Sequence, residues 1–408
     1  MCRATGLDGR LSPRHRILIE LPTVEGMPHM NPVIDTDELM DLAKGMIAIP
    51  SVSGDEENLA KWLIGWCSER GIAAELQYAA EGRPNVIARV PGQTPGAKSV
   101  LLNGHIDMTE PLEIYEGDPY EPVVTATELR GGAISNMKAA VAGMFATLAA
   151  AQRVGGLEGD LIMTAVVGEC DELGLGTKAA LASGISADAA INGEPTGMTL
   201  QLFHSGVFQF EATFKGHPAH QMERDQGVDA IRLATRALEA LHEDNLTFEP
   251  HQYLGGPQLL IGMISGGFMP QITAPSCSIR GDIRQVPGMT KDSIVADIKR
   301  MIESVVPAAA YELQVHVHSD PFSMSPDAGI CQSVLAAHRS ITGQDAVIPT
   351  ERWLGATDCS HLQAAGIPTA LYGPAVFQMN DVYDLVPISE LNDAARVYLE
   401  AARHFMSA

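Results

Sequence analysis

Short apolar runs alternate with amphipathic helical stretches along most of this chain, and that alternation restricts its fold more than any single motif. Apolar residues at helical spacing predict helices over 35–46 and 55–70. Strands are predicted over 85–90 and 99–103, the first closed by the Pro91-Gly92 turn. After a turn-rich stretch over 116–132 comes a long helix over 137–154, then buried strands over 160–167 and 189–191. Such alternation builds an α/β domain with a mixed, largely parallel sheet covered by helices.

The pattern changes over 201–319. There the elements read strand 207–214, helix 229–242, strands 259–264 and 278–283, helix 293–305 and strand 312–318. That order, β-α-β-β-α-β, is the split ferredoxin-like unit with one solvated sheet face. From Asp327 the first pattern returns, with a helix, a strand at 369–371 and a final helix from Leu391. Residues 31–200 and 320–408 are therefore expected to form one discontinuous domain, with 201–319 inserted. Residues 1–30 read as a loose extension, and Met30 is a candidate start of translation.

A formal net charge of −23 gives no basic footprint for nucleic acid or an anionic membrane. The six cysteines are scattered with no C-x-x-C, the pattern of reduced thiols in a cytoplasmic protein. The sequence shows no signal-like h-region, and no Gly-x-Ser-x-Gly elbow, P-loop or dinucleotide fingerprint.

The chemistry gathers at three strand ends. One buried strand runs into Gly104-His105-Ile106-Asp107, a second into Gly168-Glu169-Cys170-Asp171-Glu172, a third into Gly193-Glu194-Pro195. Ligands of open α/β sheets sit just beyond the carboxyl ends of the strands. Imidazole and carboxylates converging there suit a divalent ion such as zinc or manganese. In His105-x-Asp107 the two side chains share one side of an extended backbone, so the carboxylate is expected to orient the imidazole.

Leu102-Asn-Gly-His105-Ile-Asp107, Ser135-Asn-Met-Lys138, Gly193-Glu194-Pro-Thr196 and Gly216-His-Pro-Ala-His220 resemble motifs of the M20 metallopeptidases. That family includes acetylornithine deacetylase, succinyl-diaminopimelate desuccinylase, aminoacylase and carboxypeptidase G. The likeness runs from about Asp35 to the C-terminus. It implies a catalytic domain with an inserted lid that also makes a homodimer, and hydrolysis of the amide of an N-acyl amino acid or small carboxylate-bearing peptide. By the same resemblance His105 and Glu194 are metal ligands, Asp107 the orienting carboxylate, and Glu169 the general base. His220 is the lid histidine that stabilises the oxyanion in the neighbouring subunit's site. Arg284, with Gln271 and Asn380, would meet the substrate, although a salt bridge at the sheet edge is an equal reading of Arg284.

The chain departs from the family at the second metal. The bridging aspartate falls at Asn136, which is also well placed to cap the helix that follows it. The carboxylate after the base falls at Cys170, and the C-terminal histidine near Asn380. One metal per chain is therefore expected. An alternative register puts Asp171 and Glu172 at the base and ligand positions. A single-metal relative that deaminates a nitroanthranilate-like aromatic amine, or a degenerate member that only binds a ligand, are the other readings. Among lesser candidates, His204 and His217 flank the first lid strand in solvated or hinge positions. His316 and His318 are expected to share one sheet face. Thr357-Asp358 and His361 would support the site, and Cys170 is a soft ligand or a small buried filler.

Overall fold

The computed structural model describes residues 34–111, 115–154, 157–351, 353–376 and 384–408. The N-terminal extension expected over 1–30, and Asn380, lie outside the described residues. Helices α1 (Thr36–Ala48) and α2 (Glu57–Glu69) come first; Asp35 caps α1 by accepting the N–H groups of Asp37 and Glu38. Strands β1 (Ala73–Ala80), β2 (Arg83–Val90) and β3 (Val100–His105) follow, then the long helix α3 (Ala139–Val154). Next come β4 (Leu161–Val166), α4 (Leu175–Ala182) and β5 (Ala189–Asn192).

The inserted region supplies β6 (Gly206–Lys215), α5 (Ala230–Ala240), β7 (Gln258–Gly266), β8 (Ser276–Gln285), α6 (Lys291–Glu303) and β9 (Tyr311–Ser319). After it come α7 (Gly329–Thr342), α8 (Cys359–Ala364), β10 (Thr369–Leu371) and α9 (Ile388–Ser407).

The main sheet has the order β1-β2-β4-β3-β5-β10. Its four strands β4, β3, β5 and β10 are parallel, and β1 and β2 form an antiparallel edge. This is the mixed, largely parallel sheet the pattern predicts. β3, β4 and β5 are buried along their whole length, as strands covered on both faces must be. Helix α3 is apolar all round because it is a core helix: the apolar stretch Ile134–Arg153, most of which is α3, is 94% buried inside the protein over its most apolar part.

The second sheet has the order β7-β8-β6-β9, all antiparallel, so β7 is one of its edges. Burial alternates along β6 and β8, with the apolar face turned to α5 and α6. The strict alternation expected over 312–318 is broken by a register shift between Val315 and Val317. His316 is the extra residue and bonds Glu211, whereas His318 packs on the buried Phe208, so the two histidines do not share a face. His204 is not solvated: it is fully buried in a two-residue strand (Phe203–His204) paired with Phe322–Ser323, where the chain passes between the two sheets.

Candidate metal centre

Parallel register brings the chemistry together. Asn103 on β3 stands beside Thr164 on β4 and Asn192 on β5, so the ends of all three strands are level. His105 closes β3, Glu169 lies three residues past β4, and Glu194 lies two past β5. Two glycines allow the start of α3 to press against these ends. A Cβ on Gly104 would come within 2.7 Å of the Met137 side chain, and one on Gly193 within 2.7 Å of Ala140 and Met144. That closeness sets Asn136 beside His105, with its Oδ1 3.3 Å from Nε2. Asn136 does not cap the helix; the N–H groups of Lys138 and Ala139 bond the carbonyls of Ala133 and Ile134 instead.

Three donors converge on one space. His105 Nε2 lies 3.8 Å from Glu169 Oε2 and 3.7 Å from Glu194 Oε1, and all three side chains are buried or nearly so. Their nearest ligand atoms lie within 4.8 Å of one another, a span one metal ion can bridge. Glu194 Oε1 is buried and accepts no hydrogen bond, an orphan that a cation would satisfy.

The electrostatics point the same way. Burial, then the neighbouring Glu169, pushes the Glu194 carboxyl up to about 8. Burial, then Asp358 and Asp107, holds Glu169 well above the usual carboxylate range. Burial works to depress His105, but Glu194 and Asp107 outweigh it and raise its affinity for a proton. A pocket in which facing carboxylates retain protons is one short of positive charge. The residues present fit a divalent ion held by His105, Glu194 and the weaker Asn136 oxygen.

Asp107 acts differently from expectation. The imidazole is oriented through the Asp107 backbone carbonyl, 2.9 Å from Nδ1, while the nearer carboxylate oxygen is 3.6 Å away. The carboxylate instead accepts the N–H of Glu169 at 3.1 Å, the N–H of Cys170 at 3.0 Å and the Ser53 hydroxyl at 2.7 Å. Its work is to hold the turn that carries Glu169. Cys170 faces Nδ1 at 3.9 Å, on the opposite edge of the ring from the converging carboxylates, and burial and Asp107 push its thiol pKa up. It stands apart from the Nε2 cluster and groups instead with His105 and Asp107, within 4.8 Å.

Other candidates lie elsewhere. Glu172 is drawn away to Arg83, at 2.5 Å, and Asp171 is exposed, so the alternative register puts neither carboxylate at the centre. Arg284 spends its fork on Asp282 and on the Leu354 carbonyl at 3.0 Å. Gln271 and His220 are both exposed at one end of the inserted sheet, where His220 is bridged to Ile272. Neither touches His105 within this chain.

Sequence reading missed a buried polar chain behind the centre. Asn192 Nδ2 donates to Asn103 Oδ1 at 2.8 Å, Asn103 Nδ2 to Thr177 Oγ1 at 3.0 Å, and Thr177 Oγ1 to Asp358 Oδ2 at 2.8 Å. The signal was present: asparagine has no packing reason to sit in a buried strand, and here it stands two residues before each of His105 and Glu194.

Residues 203–310 match the family model for the peptidase dimerisation domain. A peptidase M20 domain-containing protein of Schizosaccharomyces pombe is 28% identical over 401 residues, covering 96% of this chain and 90% of its own. Over nearly its whole length the chain is similar to proteins of the M20 family. An N-formyl-4-amino-5-aminomethyl-2-methylpyrimidine deformylase of Halalkalibacterium halodurans is 26% identical, over 87% of this chain and 91% of its own. An acetylornithine deacetylase of Photorhabdus laumondii is 28% identical, over 65% of this chain and 71% of its own. Among solved structures, aminopeptidase PepT from Bacillus cereus superposes with a TM-score of 0.76 at 17% identity, covering 92% of this chain and all of that one. A dinuclear metal-binding M20 peptidase from Bacillus subtilis superposes with a TM-score of 0.67 at 16% identity, covering 90% and 97%. These two share the fold. With peptidases, deacetylases and a deformylase among its relatives, the chain is a hydrolytic enzyme.

Proposed function

We propose that this protein hydrolyses the linear C–N amide bond of a small N-acylated compound bearing a carboxylate, using a single divalent metal ion. The carrying observation is the convergence of His105 Nε2, Glu169 and Glu194 around the unpaired Glu194 Oε1. Bound there, a zinc or manganese ion would supply Lewis acidity, acidifying a water and polarising the acyl oxygen. His105, with its Nδ1 tied to the Asp107 carbonyl, presents Nε2 as a ligand, and Glu194 and Asn136 complete the set. Glu169 takes the proton of the attacking water and returns it to the leaving nitrogen; its raised proton affinity suits both tasks. Relatives named as an acetylornithine deacetylase and an N-formyl-aminopyrimidine deformylase support this substrate class.

We further propose that the protein works as a homodimer in the cytoplasm. The edge strand β7 and the loop after it expose Leu260, Met263, Ile264, Phe268 and Met269, an apolar patch fit for a second copy of this chain. His220, exposed at the same end of the lid, would then reach the partner's centre and steady the developing oxyanion. Arg284 would be free to meet the substrate carboxylate only after releasing Asp282.

The test is turnover of a panel of N-formyl and N-acetyl amino acids, short peptides and aromatic amines by protein loaded with Zn²⁺ or Mn²⁺. Metal-dependent release of the amine from acyl substrates supports the reading. Release of ammonia from the aromatic amines alone would replace it with hydrolytic deamination.

A further inference from the structure

A buried ion cluster lies beside the centre and has no role in the chemistry above. Glu56, directly ahead of α2, is fully buried, and the fork of Arg83 takes both of its oxygens: Nη2 to Oε1 at 2.5 Å and Nε to Oε2 at 3.1 Å. Glu56 Oε1 also accepts the N–H of Gly54 at 3.0 Å. Arg83 opens β2 and is itself nearly buried. Its remaining nitrogen, Nη1, bonds Glu172 Oε1 at 2.5 Å, and the Glu172 side chain is about half exposed.

Burying such a pair brings little net stability, because desolvation offsets the attraction. What a bidentate pair does give is a fixed direction for the third donor. Here that donor is aimed at the turn carrying Glu169. The guanidinium also lies against the turn's first residue: a Cβ on Gly168 would stand 3.0 Å from Arg83 Nη2.

The turn is closed by its own backbone, Leu173 N to Glu169 O and Gly174 N to Gly168 O, each at 3.1 Å. Asp107 grips its near end through the N–H groups of Glu169 and Cys170. Arg83 grips its far end through Glu172, and His361 Nε2 bonds the Leu173 carbonyl at 2.8 Å. Among the described residues no hydrogen bond holds the Glu169 carboxylate itself, which faces His105 at 3.8 Å and lies within 4.8 Å of Glu194. Its aim is therefore set by the backbone of the turn, and the backbone by these clamps.

We propose that Arg83 and Glu172 are positioning residues for Glu169, with Glu56 locking the arginine in place. The proposal rests on the reading of Glu169 as the base. Glu172 is the better probe, since removing a half-exposed side chain leaves the fold intact, whereas truncating Arg83 strands a buried Glu56. Loss of one of these three clamps lets the carboxylate stray, and misplacement on the scale of an ångström costs ~10-fold or more in turnover.

The experiment compares full-length wild type, Glu172→Ala, Glu172→Gln and Arg83→Lys for kcat and KM on the acyl substrate, thermal midpoint, and the absorption spectrum of the Co²⁺-loaded protein. The expected result for Glu172→Ala is a ~10-fold lower kcat, KM within about twofold, an unchanged midpoint and an altered Co²⁺ spectrum. Glu172→Gln, which keeps an acceptor for Nη1, recovers most of the rate, and Arg83→Lys, which cannot serve both carboxylates, does not. Wild-type kcat and a wild-type Co²⁺ spectrum in Glu172→Ala overturn the proposal, as does a loss that tracks the thermal midpoint and is not rescued by glutamine. Should the wild type turn over no acyl substrate, the proposed function fails, and the Co²⁺ spectra alone still decide whether the clamp shapes the site.

Discussion

Asp107 accepts the backbone N–H of Glu169 at 3.1 Å, so the carboxylate of one strand end holds the base that follows another. The same side chain also accepts from Cys170 and Ser53, and an amide could offer only one oxygen to these three donors. Asp107→Asn should therefore disturb the Glu169 turn while leaving His105 oriented by the backbone carbonyl of residue 107. The expected result is a ~10- to 100-fold fall in kcat, with a smaller loss of metal affinity measured by competition with a chelating dye.

Ligand and base separate by substitution. His105→Ala and Glu194→Ala should each purify without metal and without activity. Glu169→Gln should keep its metal, by elemental analysis, and lose turnover by about 10²- to 10⁴-fold. Near-normal turnover in Glu169→Gln would show that another group takes the proton.

The charge-poor pocket sets a pH dependence. In the metal-free protein the Glu194 carboxyl is raised from 4.5 to about 8 by burial and by Glu169. A raised folded-state value means the contribution is fully present below the unfolded value and is lost as pH rises through the folded one. Metal-free protein should thus lose stability between about pH 5 and pH 8, where the site must ionise without a counter-charge. Zn²⁺ supplies that charge, so the rise in thermal midpoint on adding Zn²⁺ should be larger at the upper end of this window. An equal rise at both ends would show that Glu194 does not carry the effect.

The inserted sheet makes a separate prediction. Ile264 is 54% exposed on the edge strand β7. Ile264→Glu places a charge in the proposed interface and should give a monomer by light scattering, with activity reduced together with dimer content. A dimer that survives the substitution would place the interface on another face.

The centre was readable because buried strands have no reason to end in His105, Glu169 and Glu194, and parallel register makes such ends meet. The inserted sheet was readable from alternation alone until His316, where a bulge changes which face each residue takes, and no residue pattern marks it. β1 was missed because Ala73–Ala80 is mostly half-exposed at the sheet edge and rich in alanine, so neither period nor propensity announces a strand. The Glu56–Arg83–Glu172 cluster was invisible for a different reason. Its members are 27 and 89 residues apart, and only the folded sheet brings them together. The dual role of Asp107 was likewise out of reach, since spacing puts its carboxylate near the imidazole but cannot show that two backbone N–H groups claim it first.

This site is proposed to hold one metal, where a structural relative is a dinuclear metal-binding peptidase. Asn136 offers a neutral oxygen 3.3 Å from His105 Nε2 in place of a bridging carboxylate, and Cys170 faces the other edge of the ring. Elemental analysis of protein dialysed against excess Zn²⁺ and then against buffer tests this directly. One tightly held equivalent per chain, lost in Glu194→Ala, is the result predicted. Two equivalents per chain, with turnover that rises as the second binds, would contradict it.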